Sequence, residues 1–196
     1  MSKFTRRSSR IATVIAVPMA FMAAGVLVST SSYAAFSDTS SNQQNSWRAG
    51  TVQLDDDDAG RALFTAGNAR PGDGGTNCIA VTSTGSLASQ VRLYADDVSG
   101  TAGLAEQLVL RIEQGTGGGY GTCEGFTPQS TVFDGRLSGF TGAHSSYGSG
   151  APTWSPTGGA SETRTFRITW KLADDAPNAV QGGTATTSFV WEAQNS

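Results

Sequence analysis

Hydrophobic and polar residues alternate along several short segments of this chain. In 162–172, every second position from Phe166 to Leu172 is apolar, and the positions between are Arg, Thr or Lys. Leu108, Leu110 and Ile112 alternate with their neighbours in the same way. A period of two is typical of a β-strand with one buried face. Six further segments are predicted as strands: Thr51–Leu54, Ala62–Thr65, Cys78–Ser83, Gln90–Tyr94, Phe133–Leu137 and Thr187–Ala193.

Clusters of Gly, Pro, Asn and Asp separate these segments, as at 71–75 and 116–119. Short strands divided by such turns predict an all-β, antiparallel β-sandwich. Only Thr101–Gln107 has a helical composition, and it is short. The segment Ser138–Gly159 is predicted as a long Gly/Ser-rich loop. In it, Trp154 either covers an edge of the core or forms an exposed surface for ligands together with Tyr147.

Composition narrows the function classes. The 196 residues fit one ordinary domain, and 38% hydrophobic residues supply a core. Only 15% of the residues are charged, and the net charge is −3. A nucleic-acid-binding protein needs a basic face that neutralises phosphates, and this chain has no basic cluster outside its first ten residues. We therefore expect no nucleic-acid partner.

The N-terminal segment has the layout of a secretory signal peptide. Lys3 and three arginines precede an apolar run from Ile11 to Val28, and a short stretch of small residues follows. This pattern predicts a signal peptide over 1–34, with cleavage between Ala34 and Ala35 by a signal peptidase. The alternative is an uncleaved membrane anchor, because the apolar run nearly spans a bilayer. Under the first interpretation the protein is secreted, and only its precursor contacts the membrane.

Export changes the interpretation of the two cysteines. Cys78 and Cys123 are the only cysteines of the chain, and an isolated pair in an oxidising compartment usually forms a disulfide. The chain-entropy model assigns such a bond about 4 kcal/mol for a loop of this length. A structural zinc site normally takes four ligands, and two cysteines with one histidine do not supply them. The sequence therefore predicts a structural disulfide.

Candidate catalytic chemistry is sparse. The chain has no HExxH, Gly-x-Ser-x-Gly, phosphate-loop or dinucleotide motif, and His144 is its single histidine. We therefore predict neither an enzyme nor a cofactor. The run Asp55, Asp56, Asp57 and Asp58 is a calcium candidate, because clustered carboxylates suit hard cations. The alternative is a solvated acidic turn that ends a strand.

Several segments, in this order, resemble the TasA/camelysin family. A signal peptide leads into an A-x-F-S-D element, Ala34 to Asp38, and the sequence A-G-T-V-Q-L follows. Similar motifs of that family are a Pro-Gly-Asp turn and a strand that ends in Gly-Ser-Leu. The matching segments are Tyr33–Thr39, Asn45–Leu54, Ala69–Asp73, Val81–Leu87 and Phe189–Gln194. Ala69-Arg70 departs from the Leu-Lys of the family's turn, and the cysteine pair is absent from its best-known members.

The resemblance implies a jelly-roll sandwich and processing by a SipW-type signal peptidase. It also implies self-association into biofilm matrix fibres, in which the N-terminal segment of one subunit completes the sheet of the next. The chain then divides into a signal peptide (1–34), a donor segment (35–49) and a sandwich domain (50–196). Ala35, Phe36, Ser37 and Asp38 begin the donor segment, with Phe36 as its anchor. The receiving core is expected to consist of Phe166, Ile168, Trp170, Phe189 and Trp191. Two alternatives remain: a camelysin-like metalloendopeptidase and a monomeric adhesive or carbohydrate-binding sandwich.

Overall fold

Two antiparallel sheets pack face to face in this protein. The structure, a computed structural model, describes residues 49–195. The strands are β1 (Leu54–Asp56), β2 (Gly74–Ser83), β3 (Ser89–Gly100), β4 (Leu108–Thr116), β5 (Thr127–Arg136), β6 (Ala151–Pro152), β7 (Glu162–Leu172) and β8 (Ala185–Asn195). The first sheet has the order β1-β2-β7-β4-β5 and the second the order β6-β3-β8. The predicted all-β sandwich is confirmed, and the jelly-roll label stays a prediction.

The core lies between the sheets, and the predicted alternation supplies it. Phe166 and Ile168 of β7 are fully buried, as are Ile112 of β4 and Leu93 of β3. The β7 strand pairs with β2 on one side and with β4 on the other over most of its length. Its bounds are those that the alternation predicts, because a central strand with one buried face shows the pattern most clearly.

Several predicted elements were wrong in place or kind. Thr51–Leu54 contributes only Leu54 to a strand, since β1 continues into the acidic run, and Ala62–Thr65 forms no strand. Phe133–Leu137 ends at a helix, α1 (Leu137–Ala143), instead of continuing as a strand. Thr101–Gln107 contains only a 3₁₀ turn, Leu104–Glu106. No helix of residues 49–195 is both apolar and long enough to cross a bilayer.

The predicted loop Ser138–Gly159 is more ordered than its composition indicates. It contains most of α1, a 3₁₀ turn at Tyr147–Ser149, and β6. Leu137 and Phe140 of α1 are buried, and the ring of Phe140 packs 5.1 Å from that of Phe133. Apolar burial at two positions, three residues apart, therefore fixes this short helix in spite of its two internal glycines.

The disulfide between Cys78 and Cys123 is present, as predicted, with its Cα atoms 5.3 Å apart. It ties β2 to the loop 117–126, which connects β4 to β5 and which we call the strap. Beneath the strap, Glu113 of β4 is 7% exposed and lies 2.7 Å from the guanidinium of Arg167 on β7. Arg167 also lies over the ring of Phe126, 4.7 Å from its centroid. The strap thus covers an ion pair on the outer face of the five-stranded sheet.

We predict that the double variant Cys78→Ala/Cys123→Ala folds with a free energy of unfolding lower by about 2–4 kcal/mol, because the unfolded chain regains the freedom of the closed loop. Urea denaturation followed by tryptophan fluorescence measures this change. The control, Val98→Ala, alters a side chain that is 51% exposed and should stay within about 0.5 kcal/mol of the unmodified protein. A double variant as stable as the unmodified protein would contradict the bracing role of the disulfide.

Candidate functional site

The β8 strand is the long edge of the three-stranded sheet. Among residues 49–195 it pairs with β3 on one side and has no strand on the other. The backbone N–H groups of Val91 and Ala95 donate to Trp154 and His144, on the side of β3 away from β8. Because hydrogen bonds alternate sides along an antiparallel strand, Arg92 and Tyr94 bond to β8. Their β8 partners, Glu192 and Val190, therefore use their backbone N–H and C=O groups in the ladder with β3. The β8 residues between these partners have no backbone hydrogen bond to β3.

Phe189, Trp191 and Ala193 consequently carry the free backbone groups of this edge. Val190 pairs with Tyr94 and Glu192 with Arg92, so the alternate positions of β8 point their N–H and C=O groups outward. The side chains of the same three residues pack against the core. They are only half-buried, although Phe166 and Ile168 of central β7 are fully covered. The described part of the chain therefore leaves the outer side of β8 without cover.

A cleft of about 310 Å³ lies beside this edge, between β1 and β8. Leu54, Val81 and Trp191 form its apolar lining, and Asp55 and Asp56 border it. The indole N–H of Trp191 is buried and has no acceptor among the described residues. Buried polar groups are nearly always hydrogen-bonded, and an orphan costs about 1–3 kcal/mol. The cleft therefore combines a small apolar surface with two carboxylates, next to a side chain that has one unused donor.

Four of the five residues predicted to receive a donor segment belong to one core cluster or pack against it, and the fifth, Trp170, is half-buried and lies outside that cluster. The ring of Phe166 lies 5.1 Å from that of Trp191, and Ile168 belongs to the same buried cluster. Phe189 packs against Phe140 at 5.8 Å. The predicted cleavage residues Ala34 and Ala35, and the donor residues Phe36, Ser37 and Asp38, lie outside the described residues, as does the predicted signal peptide.

The acidic run forms a hydrogen-bonded turn. Oδ1 of Asp56 accepts from the N–H of Asp58, and Oδ1 of Asp58 accepts from the N–H of Gly60. Burial, followed by the hydrogen bond to Asp58, raises the pKa of the Asp56 carboxyl above its usual value. A raised folded-state pKa means that ionised Asp56 opposes folding, so this turn gains stability as the pH falls through that pKa. The predicted acidic turn is thus formed by the carboxylates themselves.

The carboxylate of Asp57 has a different structural role. Its Oδ1 accepts from the backbone N–H of Ala80 at 2.8 Å, and its Oδ2 accepts from that of Tyr120 at 2.7 Å. The phenol of Tyr120 donates to the carbonyl of Ala62, beneath the guanidinium of Arg61. Asp57 therefore joins the acidic turn to β2 and to the strap. Residues 49–195 contain no group of three or more His, Cys, Asp or Glu side chains placed to share a metal ion.

His144 and Trp154 both have structural surroundings. Nδ1 of His144 lies 2.7 Å from the carbonyl oxygen of Ser149, which can only accept, so this nitrogen donates. The imidazole also packs against Phe140. Trp154 is 8% exposed and lies 5.9 Å from Phe166, within the core. The hypothesis of Trp154 as an exposed surface for carbohydrate was therefore wrong, because the loop that carries it folds onto the sandwich.

Sequence reasoning missed the Glu113–Arg167 pair and the cleft at β8. Glu113 occupies an outward position of an alternating strand, which predicts exposure, and only the strap covers it. The cysteine pair was the one signal that the strap lies near β2. No protein-family model matches this chain, and no curated protein matches its sequence.

We predict that Asp57→Asn lowers the free energy of unfolding by about 1 kcal/mol or more. Each carboxylate oxygen of Asp57 accepts from a backbone N–H, and the amide of Asn can replace only one of these acceptors. Its NH₂ group would then face the other backbone N–H, donor against donor. Thermal unfolding with and without added calcium measures it. The matched control, Asp55→Asn, alters a carboxylate whose partner is the exposed amide of Gln53, and should change stability little. Equal losses of stability in both variants would contradict the structural role of Asp57. A calcium-induced rise in melting temperature that both variants lose would instead indicate a cation site.

Proposed function

We propose that this protein is a secreted structural subunit, similar to TasA, that assembles into extracellular or cell-surface fibres by donor-strand exchange. The N-terminal segment that follows the signal peptide of one copy would pair with the free edge of β8 in the next. Phe36 would enter the cleft beside Trp191. The jelly-roll topology, the SipW-type processing and a biofilm matrix role belong to the same proposal.

The observation that carries the proposal is the unpaired edge of β8 above half-buried aromatic side chains. An added strand would pair with the N–H and C=O groups of Phe189, Trp191 and Ala193. Its inward side chains would cover the rings of Phe189 and Trp191. One extended segment would therefore supply both the backbone partners and the side-chain cover for this edge.

The chemistry of the 35–45 segment suits such a strand. It is polar apart from Ala35 and Phe36, so it has little apolar surface with which to form a core of its own. A contact in which each subunit donates to the next is heterologous, and unless its rotation closes a ring it propagates into a filament. Secretion agrees with the Cys78–Cys123 disulfide, since such bonds persist in oxidising compartments.

We predict that deletion of Ala35–Ser41 leaves a folded monomer that does not polymerise, because the donor is removed and the sandwich is kept. Electron microscopy and sedimentation of the secreted protein, at increasing concentration, measure assembly. Phe36→Ala should shorten or abolish filaments, whereas Phe36→Leu, which keeps an apolar anchor, should retain them. Filaments of normal length from the deletion variant would contradict the proposal, as would an unmodified protein that stays monomeric at every concentration.

We further predict that Ala193→Pro abolishes filaments while the monomer stays folded. Proline removes the N–H that faces the free edge and leaves the β3 ladder intact. Ala193→Ser keeps that N–H and should assemble normally. Glu192→Pro is the contrasting variant, because it removes a hydrogen bond to β3 and should lower the free energy of unfolding by about 3 kcal/mol. Normal assembly of Ala193→Pro would place the assembly contact elsewhere.

A further inference from the structure

A second cavity, of about 440 Å³, lies at the far end of the three-stranded sheet. It is formed where β3 begins, where β8 ends, and by the segment 155–157. None of the lining side chains from residues 49–195 carries a charge, and amides and hydroxyls supply most of the polar groups. Those used below are Ser89, Gln90, Tyr147, Thr157, Gln194 and Asn195. The volume falls within the range of small-molecule sites.

The side chain of Gln90 is held in one orientation. Its Oε1 accepts from Nε and Nη2 of Arg92, at 2.9 and 2.8 Å. Arg92 in turn lies 5.1 Å from the centroid of the Tyr147 ring, and the Tyr147 hydroxyl donates to the backbone carbonyl of Gln90. This closed set of contacts turns the amide nitrogen of Gln90 away from Arg92. Two N–H donors are therefore positioned at the cavity before any ligand arrives.

Thr157 and Ser89 add hydroxyl oxygens. The N–H and the hydroxyl of Thr157 both donate to Oε1 of Glu162, at 2.7 and 2.9 Å. The Thr157 oxygen consequently keeps its lone pairs for an incoming donor. Ser89 is 2% exposed, and its hydroxyl has no partner among the described residues. The cavity thus combines oriented donors, an oriented acceptor and a buried hydroxyl without a hydrogen bond.

We propose that this cavity binds a neutral oligosaccharide. A sugar hydroxyl both donates and accepts, so it matches a wall that offers both kinds of group, whereas an ionic ligand would find no counter-charge among the lining residues. The ring of Tyr147, with the exposed side chain of Ala88, supplies apolar surface for the C–H faces of sugar rings. The cavity extends around the strand ends, since Gln90 and Gln194 lie on one face of the sheet and Ser89 and Asn195 on the other. It therefore suits a chain of sugars better than a single ring.

The test uses ligand-observed saturation-transfer NMR and calorimetry, which work on monomer and filament alike. The probes are neutral tetrasaccharides of glucose, galactose and N-acetylglucosamine. We expect at least one to bind the purified protein with a dissociation constant of about 1 mM or lower. Gln90→Glu keeps the acceptor for Arg92 and removes both N–H donors, so it should weaken binding by about tenfold or more without loss of thermal stability. The matched control, Gln181→Glu, makes the same change at an exposed position and should bind as the unmodified protein does.

The variant Ser89→Ala tests whether the Ser89 hydroxyl contacts the ligand or serves only the stability of the fold. It removes a buried hydroxyl without a partner, so stability should hold or rise, while binding of the same tetrasaccharide weakens severalfold. Failure of all three probes to bind at about 10 mM would overturn the proposal. Unchanged affinity in both Gln90→Glu and Ser89→Ala would overturn it as well, since the bound sugar would then lie elsewhere.

Discussion

One-sided backbone pairing of β8 is the constraint on which the functional interpretation depends. The β7 strand, at the centre of the other sheet, is paired on both sides, and its inward residues Phe166 and Ile168 are fully covered. The β8 strand is the same length but, among residues 49–195, is paired only with β3, and its inward residues Phe189, Trp191 and Ala193 are half-buried. A side chain on a sheet is covered by its neighbours on both flanks as well as by the opposite sheet. The missing flank of β8 therefore explains both the free backbone groups and the incomplete core.

The other long edge of the sandwich is protected in ways that β8 is not. The β5 strand shifts register against β4 twice, and its first five residues are exposed and polar or proline. Bulges, proline and polar side chains all discourage the addition of a further strand. Between Phe189 and Ala193, β8 has no bulge and no proline, and Glu192 is its one charged side chain. Of these two edges, β8 is the one suited to receive a strand.

The alternation of apolar and polar residues predicted the central strands. It failed for elements whose structure depends on contacts with residues far away in the sequence. Cys78–Ser83 and Gln90–Tyr94 lie within β2 and β3, because their period of two follows from burial of one face. By contrast, Asp55 and Asp56 form part of β1 only through pairing with Thr82 and Val81, a contact that no composition rule contains. Glu113 is buried because the strap crosses it. The cleft at β8 and the sugar-sized cavity are likewise formed by strand order, which alternation alone leaves open.

The orphan N–H of Trp191 distinguishes between the possible ways to complete this core. An apolar side chain alone would cover the ring and leave the buried donor without an acceptor, at a cost of about 1–3 kcal/mol. A strand beside β8 pairs with the edge through its backbone, and a polar side chain on its inward face can in addition accept from that donor. The requirement is met equally by a segment of the same copy or of a neighbour, so the proposed fibre requires that the segment of a neighbour is the one that pairs with β8. Under the proposal, pairing between copies gains on pairing within one copy as concentration rises, because only the first depends on concentration.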